Sequence, residues 1–450
     1  MSQLELTADQ IAGAESPVAP PAGASANKTG YQLNASKPAR SELSAEEASH
    51  SRRVLRRRKI IAFAFVTPLM LFILISFIAP IGTMLYRSVY HPTVAQLVPV
   101  TLEALSGWDE TGDSRPDDAV LNRFALELQQ LAVDRRSGKL AEEINRGLPG
   151  SSSVIKSTAR KLIKIDTELL ATEGALYLLD ARTQWHTADI WRVIKQNGAV
   201  FTDSFYLTAL DLERDPAGDI EARGTAIYIK LYLKSLKIAL LITLLTALIG
   251  FPLAYYLATA PAKTANTLMV FVLLPFWTSL LVRTTAWIAL LQTNGVINTF
   301  LQSIYVITEP LEMLYTQSST VIAMTHILLP FMILPLYSVM KGIDPSYFRA
   351  ALSLGAKPIP AFIRIYMPMT LPGLSAGALL VFIISIGYYI TPALVGGTDG
   401  QMISNIIAFH MQSSNNWELA AALGSLLLGL ITALYWIYDR TVGVSNIKLG

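Results

Sequence analysis

The sequence predicts an all-α membrane protein with six transmembrane helices and a mostly helical external insertion between helices 1 and 2. Three observations carry this. The 450 residues are 52% hydrophobic and only 15% charged, whereas soluble domains carry about 25% charged residues. The missing charge is concentrated in apolar runs of about 20 residues, the length needed to cross a bilayer. Lys and Arg are distributed unevenly about those runs, which sets an orientation. The net charge of +3 is too small to suggest nucleic acid. The absence of cysteine excludes disulfides, thiol catalysis and Cys-based zinc sites.

Residues 1–58 form a tail rich in Ala, Ser, Glu, Pro and Gly. It has no secretory-signal pattern and is predicted to be disordered and cytoplasmic. Asn27 and Asn34 fit the glycosylation pattern, but a cytoplasmic tail would not be glycosylated. The first crossing, in residues 59–90, has its apolar run at 60–86. Arg52, Arg53, Arg56, Arg57, Arg58 and Lys59 precede it and place the N-terminus inside. Five further runs, at 232–258, 268–291, 318–340, 371–394 and 419–438, lie in a core spanning 228–450, and six crossings return the C-terminus to the cytoplasm. The inner loops then carry Lys263, Lys341, Arg349, Lys357, Arg364, Arg440 and Lys448. The short outer loops carry Glu309, Glu312, Asp399 and Glu418. Lys230, Lys234 and Lys237 are a minority exception, and the long segment before them weakens the rule there.

That long segment, 91–227, is the external insertion. It holds 15 Lys and Arg against 21 Asp and Glu. Apolar residues recur at helical spacing in 122–143 and 154–178. Trp185, Trp191, Phe201, Phe205 and Tyr206 could supply a small core. It reads either as a solvated insertion or as a landing surface for a soluble external partner.

The loop at 343–373 is more sharply punctuated than a linker requires. Asp344 can cap a helix that has Pro345 at its first position. The spacing predicts a helix over 346–354, closed by Gly355 in a left-handed conformation. Pro358 and Pro360 block its continuation. A second short helix is expected at 361–367, ended by Pro368, before Pro372 and Gly373 lead into the fifth crossing. Ala350 and Ala351 would let another surface approach, and Tyr347, Phe348, Leu352 and Leu354 offer apolar anchors. Such a face needs cover. It either docks a partner or lies on the membrane surface.

The spacing Ala-Ala-x3-Gly-x9-Ile-x-x-Pro, met here by Ala350, Ala351, Gly355, Ile365 and Pro368, resembles the EAA loop of bacterial ABC importer permeases. Gly250, Pro252 and Ala254 resemble the end of that family's second helix. The blocks 274–287 (LPFWTSLLVRTTAW) and 294–298 (NGVIN), with 402–406 (MISNI), Asn416, Trp417 and the run 420–423 (AAAL), are similar to the spermidine/putrescine permease branch. The resemblance covers the first helix and residues 226–450. It implies a type I importer fold in the bacterial inner membrane. The implied partners are a dimer of ATP-binding subunits, a second permease subunit in a heterodimer, a periplasmic solute-binding protein and membrane lipid. It also implies that Asp344, Phe348, Arg349, Ala350, Ala351, Gly355, Ile365 and Pro368 form the element that enters a groove of the ATPase. Two positions depart from the pattern. Arg349 stands where the family has an acid, and Met367 precedes Pro368 in place of Leu.

No Walker A pattern occurs, so the chain is expected to bind no cofactor, with ATP and Mg on the partner ATPase. For a polycationic cargo, carboxylates or aromatic faces are expected along the path. No Asp or Glu lies deep in any run. Trp277, Trp287, Tyr388 and Tyr389 could make cation–π contacts or simply anchor helices at the interface. Apart from Lys234 and Lys237 at the head of the second run, Arg283 is the one full charge inside a run, open to a functional or a snorkelling role. His326, also within a run, reads as a hydrogen-bonded packing group. Residues 373–377 match the G-x-S-x-G nucleophile pattern through Ser375, but the same residues form G-x-x-x-G, a close-packing motif of membrane helices. The expected cargo is a polyamine, or alternatively an opine or another amino compound. A membrane receptor with an external sensing domain is the reading from a different class, and an intramembrane serine hydrolase using Ser375 is a third.

Overall fold

The computed structural model describes residues 45–215 and 219–442. The tail at 1–44, with Asn27 and Asn34, and Lys448 lie outside the described residues. The chain divides into two units, 1–72 and 73–450. In the first, the described chain is helical from Ala45, in α1 (Ala45–Ile73). The predicted disorder at 1–58 therefore fails over 45–58, where the Arg-rich stretch extends the apolar helix without a breaker.

The second unit opens with a π-helical turn, Leu74–Ile78, and α2 (Ala79–Arg87). The insertion follows as α3 (Thr93–Leu97), α4 (Pro99–Leu105), α5 (Asp118–Val133), α6 (Ser137–Gly147), α7 (Ser151–Leu162), α8 (Thr167–Ala181) and α9 (Ala188–Asn197). Local chemistry sets several of these starts. The Asp117 carboxylate accepts from the Val120 N–H at the head of α5, and Asp166 accepts from the Glu168 N–H at the head of α8. At Gly174 of α8 an added Cβ would lie 2.8 Å from that of Ala125, so the glycine lets α8 approach α5 closely. The insertion has its own core. Phe124, Trp185 and Trp191 meet at ring separations of 5.2–5.4 Å and are fully buried. The Trp185 and Trp191 indoles donate to Thr158 Oγ1 and to the Trp185 carbonyl, so burying them orphans no donor.

Three of the five aromatic residues expected in that core lie elsewhere. Phe201 is 64% exposed. Phe205 and Tyr206, on α10 (Ser204–Ala209), pack with the membrane helices instead. The chain enters and leaves the insertion side by side: Tyr90 and Phe201 form an antiparallel bridge, with His91 N–H donating to the Val200 carbonyl and Thr202 N–H to that of Val89. A hairpin, β1 (Leu212–Arg214) with β2 (Ile220–Ala222), then leads to the core.

The core comprises α11 (Tyr228–Thr259), α12 (Ala262–Trp277), α13 (Leu280–Leu291), α14 (Val296–Ser303), α15 (Gln317–Gly342), α16 (Pro345–Ser353), α17 (Pro358–Ala361), a π-helical turn at Phe362–Tyr366, α18 (Met367–Gly387), α19 (Ile390–Val395), α20 (Ile403–Gln412) and α21 (Trp417–Val442). At its centre α15 packs between α11 and α18. Glycines set those approaches. A Cβ at Gly377 would lie 2.9 Å from Met332 Sδ, and one at Gly373 would lie 2.9 Å from the Pro335 carbonyl oxygen.

Among the described residues five helices are long and apolar enough to cross a membrane, or six if one bent pair counts as a single span. That pair corrects the straight third crossing at 268–291. The chain turns by 99° between α12 and the helices that follow. Ser279 restarts it as α13, its hydroxyl accepting from the Val282 N–H. The fifth run is corrected at both ends. Pro368 does not end a short helix, because the π turn before it and the helical start at Met367 absorb the proline, and one apolar helical span runs Pro358–Gly387. The run predicted to reach 394 stops at Gly387, and α19 is separate.

Candidate functional site

In the loop at 343–373, the Asp344 carboxylate accepts from the Ser346 N–H at 2.8 Å, with Pro345 first in α16. The Ser346 N–H and hydroxyl, together with the charge of Arg349, hold the Asp344 carboxyl below the usual range. Gly355 has φ +87° and open space about it, so its backbone conformation, not crowding, calls for glycine.

The loop is seated on the membrane helices by aromatic packing. Phe362 stacks on Tyr366 with ring centroids 5.4 Å apart, and Tyr255 of α11 meets both edge-on. Lys341 Nζ donates to the Ala258 carbonyl at 3.4 Å. Between loop and helices lies a cavity of ≈ 410 Å³ lined by Tyr255, Met340, Phe348 and Arg349, among others.

The predicted loop residues fall into two sets. Ala351, at 5% exposure, faces inward, and Phe348 and Ile365 are half-buried. Asp344, Arg349, Ala350, Gly355 and Pro368 are exposed. Beside them the loop presents Tyr347, Leu354, Ile359 and Ile363, all more than half exposed. These are short helices with one face packed inward and an apolar face left uncovered. Chemically, the loop offers a partly apolar protrusion with exposed cations at Arg349, Lys357 and Arg364.

The candidate path residues do not form one group. The Trp287 indole donates to His326 Nδ1 at 3.3 Å. Arg283 Nε is buried and has no hydrogen-bond partner. Trp277, in contrast, is 73% exposed on the outside of α12. Tyr389 is held through its carbonyl, which accepts from the Asn405 side chain at 2.7 Å. Ser375 donates to the Pro372 carbonyl of its own helix, and Gly373 and Gly377 on either side make the close approaches of a packing motif.

Asp211 is a residue that sequence reasoning missed. It is 4% exposed, with φ +56°, and its carboxylate accepts from the N–H groups of Ile227, Tyr228 and Ile229 at 2.7–3.0 Å. It therefore caps α11 from 17 residues upstream of the helix start. Capping patterns that look only at adjacent residues do not reach that far.

Apolar spanning helices around a buried central helix, with a capped loop at 343–373, are the framework of a multi-pass membrane protein. The comparisons specify its kind. Residues 250–442 match the family of binding-protein-dependent transport system inner membrane components. The spermidine/putrescine transport system permease protein PotB of Escherichia coli (strain K12) is 36% identical over 217 residues, 48% of this chain and 79% of that protein. PotB of Haemophilus influenzae is 33% identical, over 50% of this chain and 78% of that one. The inner membrane ABC transporter permease protein YdcU of Escherichia coli (strain K12) is 31% identical, over 47% and 71%. A solved bacterial alginate ABC transporter, in complex with alginate pentasaccharide-bound periplasmic protein, matches with a TM-score of 0.42 at 16% identity, over 48% of this chain and 78% of that one. The chain belongs to the family of binding-protein-dependent inner membrane components. It is a multi-pass ABC importer permease, a membrane component of the spermidine/putrescine-permease-like branch.

Proposed function

We propose that this permease carries a small polyamine of the spermidine or putrescine type inward, driven by ATP hydrolysed on a partner. In this reading the N- and C-termini and the 343–373 loop are cytoplasmic, and the insertion faces the periplasm. The partners are an ATP-binding dimer that holds ATP and Mg, a second permease in a heterodimer, and a periplasmic solute-binding protein. The observation that carries the reading is the loop itself, with its aromatic root packed on α11 and its exposed crest of Tyr347, Leu354, Ile359 and Ile363. ATP-driven closure of the ATPase dimer would pull this crest. Because Ala351 and Phe348 are packed inward, the movement would pass to α11 and α15 and alternate the access of the pathway.

Gly355→Asp tests this. The forced left-handed backbone and the added charge are expected to abolish co-purification with the ATPase and to reduce uptake to background. Retained association would sink the docking role. For the cargo, a deletion strain is expected to lose uptake of labelled spermidine, and unchanged uptake would overturn the polyamine assignment. The opine alternative has one observation in its favour: Arg283 supplies a cation, with its Nε unpaired, in the candidate path. Competition of labelled spermidine by carboxylate-bearing amino compounds separates the two readings.

A further inference from the structure

His91, the first residue of the insertion, is 5% exposed. Its Nε2 lies 3.0 Å from Glu143 Oε2 on α6. Its Nδ1 lies 3.5 Å from Glu418 Oε1 in the first turn of α21, a long ion-pair contact. Glu143 belongs to the insertion and Glu418 to a membrane helix, so the imidazole is held between carboxylates of two separately cored parts of the chain. Arg146 completes the node. Its Nη1 holds both Glu143 oxygens at 2.8–2.9 Å, and its Nη2 donates to the Asn415 carbonyl just before α21. The node borders a cavity of ≈ 350 Å³ at the junction, also lined by Asn197, Thr208, Arg223 and Asn416.

We propose that His91 is a positioning residue for transport: as an imidazolium it clamps α6 of the insertion to the head of α21, so that the two move together when the permease changes access. The transport role rests on the function proposed above, whereas the clamp itself does not.

The charges around His91 favour its protonated form. Glu143 of α6 and Glu418 of α21 flank it; behind them Arg146 pairs with Glu142 and Glu143, Arg223 and Tyr228 line the same cavity, and His410 of α20 lies against Tyr228. From α10 it meets only the edge of the Phe205 ring, at 5.3 Å. Burial alone would lower the His91 pKa, but hydrogen bonding and charge from Glu143 and Glu418 outweigh it and raise it to about 9. With the folded value above the ordinary 6.5, the clamp contributes fully below pH 6.5 and is lost as pH rises through about 9. Deprotonation leaves Glu143 still paired with Arg146 but removes the cation in direct contact with Glu418, so the hold on α21 is the one weakened.

Three measurements on the full chain test this. First, the melting temperature of the detergent-purified protein is followed from pH 7 to 10. Wild type should lose stability through about pH 9 relative to His91→Gln, which lacks that step. Glu418→Gln should move the step to lower pH, because one of the two acids raising the His91 pKa is gone. Second, because the chain is free of cysteine, Thr208→Cys reports the junction cavity. At fixed neutral pH its labelling by a membrane-impermeant maleimide should rise several-fold when His91→Gln or Glu418→Gln is added. Third, uptake of labelled spermidine should fall several-fold in both latch variants at neutral pH, and in wild type as pH passes 9. An unmoved step in Glu418→Gln, or unchanged labelling, overturns the clamp. Normal uptake with a melted clamp overturns its role in transport. If His91→Gln fails to insert, Glu418→Gln still decides through its step. A wild type that takes up no spermidine refutes the cargo reading only, since melting and labelling do not depend on it.

Discussion

Asp344 has a depressed pKa, so its contribution as a cap is present throughout the neutral range and is lost only when pH falls through the lowered value. Asp344→Ala removes the acceptor of the Ser346 N–H and is expected to fray the first turn of α16. Uptake should fall several-fold while membrane insertion stays normal, with immunoblotted membrane levels as the control. Arg349 is exposed on the same helix; its carbonyl accepts from the Ser353 hydroxyl, and its charge acts on Asp344. On the docking proposed above, an exposed cation at this position fits an ATPase surface of opposite charge. Arg349→Glu should leave the fold intact and lower co-purification with the chain's own ATPase at least several-fold. A gain in association would show that the partner surface has the opposite charge to the one inferred. Ser375 makes only a helix-internal hydrogen bond, so Ser375→Ala is expected to change neither assembly nor transport. Loss of activity at normal assembly would reopen the hydrolase reading.

At the scale of elements, α18 lies on α15 through glycines with no room beside them. Gly377→Val would drive side-chain atoms against Met332 Sδ and the Met332 carbonyl, which lie 2.9 and 3.1 Å from an added Cβ. Overpacking of this kind costs about 1–3 kcal/mol, so the detergent-solubilised protein should melt several degrees lower. Gly387→Ala, at the end of the same helix with nothing within 4 Å, should leave the melting point unchanged or slightly raised. Here the sequence was a good guide to which elements exist and a poorer one to where they break. Asp344, Pro345 and Gly355 marked α16 because cap, first-turn proline and left-handed glycine are local signals. The bend after Trp277 and the π turn at Phe362–Tyr366 were not legible, because apolar periodicity reports length and burial but not direction. Pro368 misled for a related reason. Proline opposes a helix by removing an i−4 hydrogen bond and crowding that carbonyl, but after the π turn Pro368 falls in the first turn of α18, where it is tolerated. The Asp211 cap and the His91 node were hidden by chain separation, since His91 and Glu143 are 52 residues apart and no spacing rule joins them.

Across the whole second unit, the insertion and the membrane helices have separate apolar cores. They meet through polar contacts at the His91 node and the Arg146 bond to Asn415, beside which the Tyr206 hydroxyl pairs with Ser88 and Ser425. Tyr206 follows the bridge at Tyr90 and Phe201 and stays with the membrane part. The chain therefore crosses into and out of the insertion at one closed gate. That geometry makes excision possible without stretching the backbone. Replacing residues 92–199 by a short Gly-Ser linker should give a protein that inserts, elutes as one species in mild detergent, and keeps the α11, α15 and α18 packing. The excised 92–199 segment should itself be soluble and helical, with a cooperative thermal transition. Its Trp185 and Trp191 fluorescence should shift to the red on melting as those buried indoles reach water. Trp191→Ala in that segment should lower its stability by about 3–5 kcal/mol, the usual cost of deleting a large core side chain. If the remaining membrane part aggregates while the segment folds, the insertion is a structural brace for the core. If both fold and transport is lost, the insertion acts in the transport cycle, as the clamp at His91 requires.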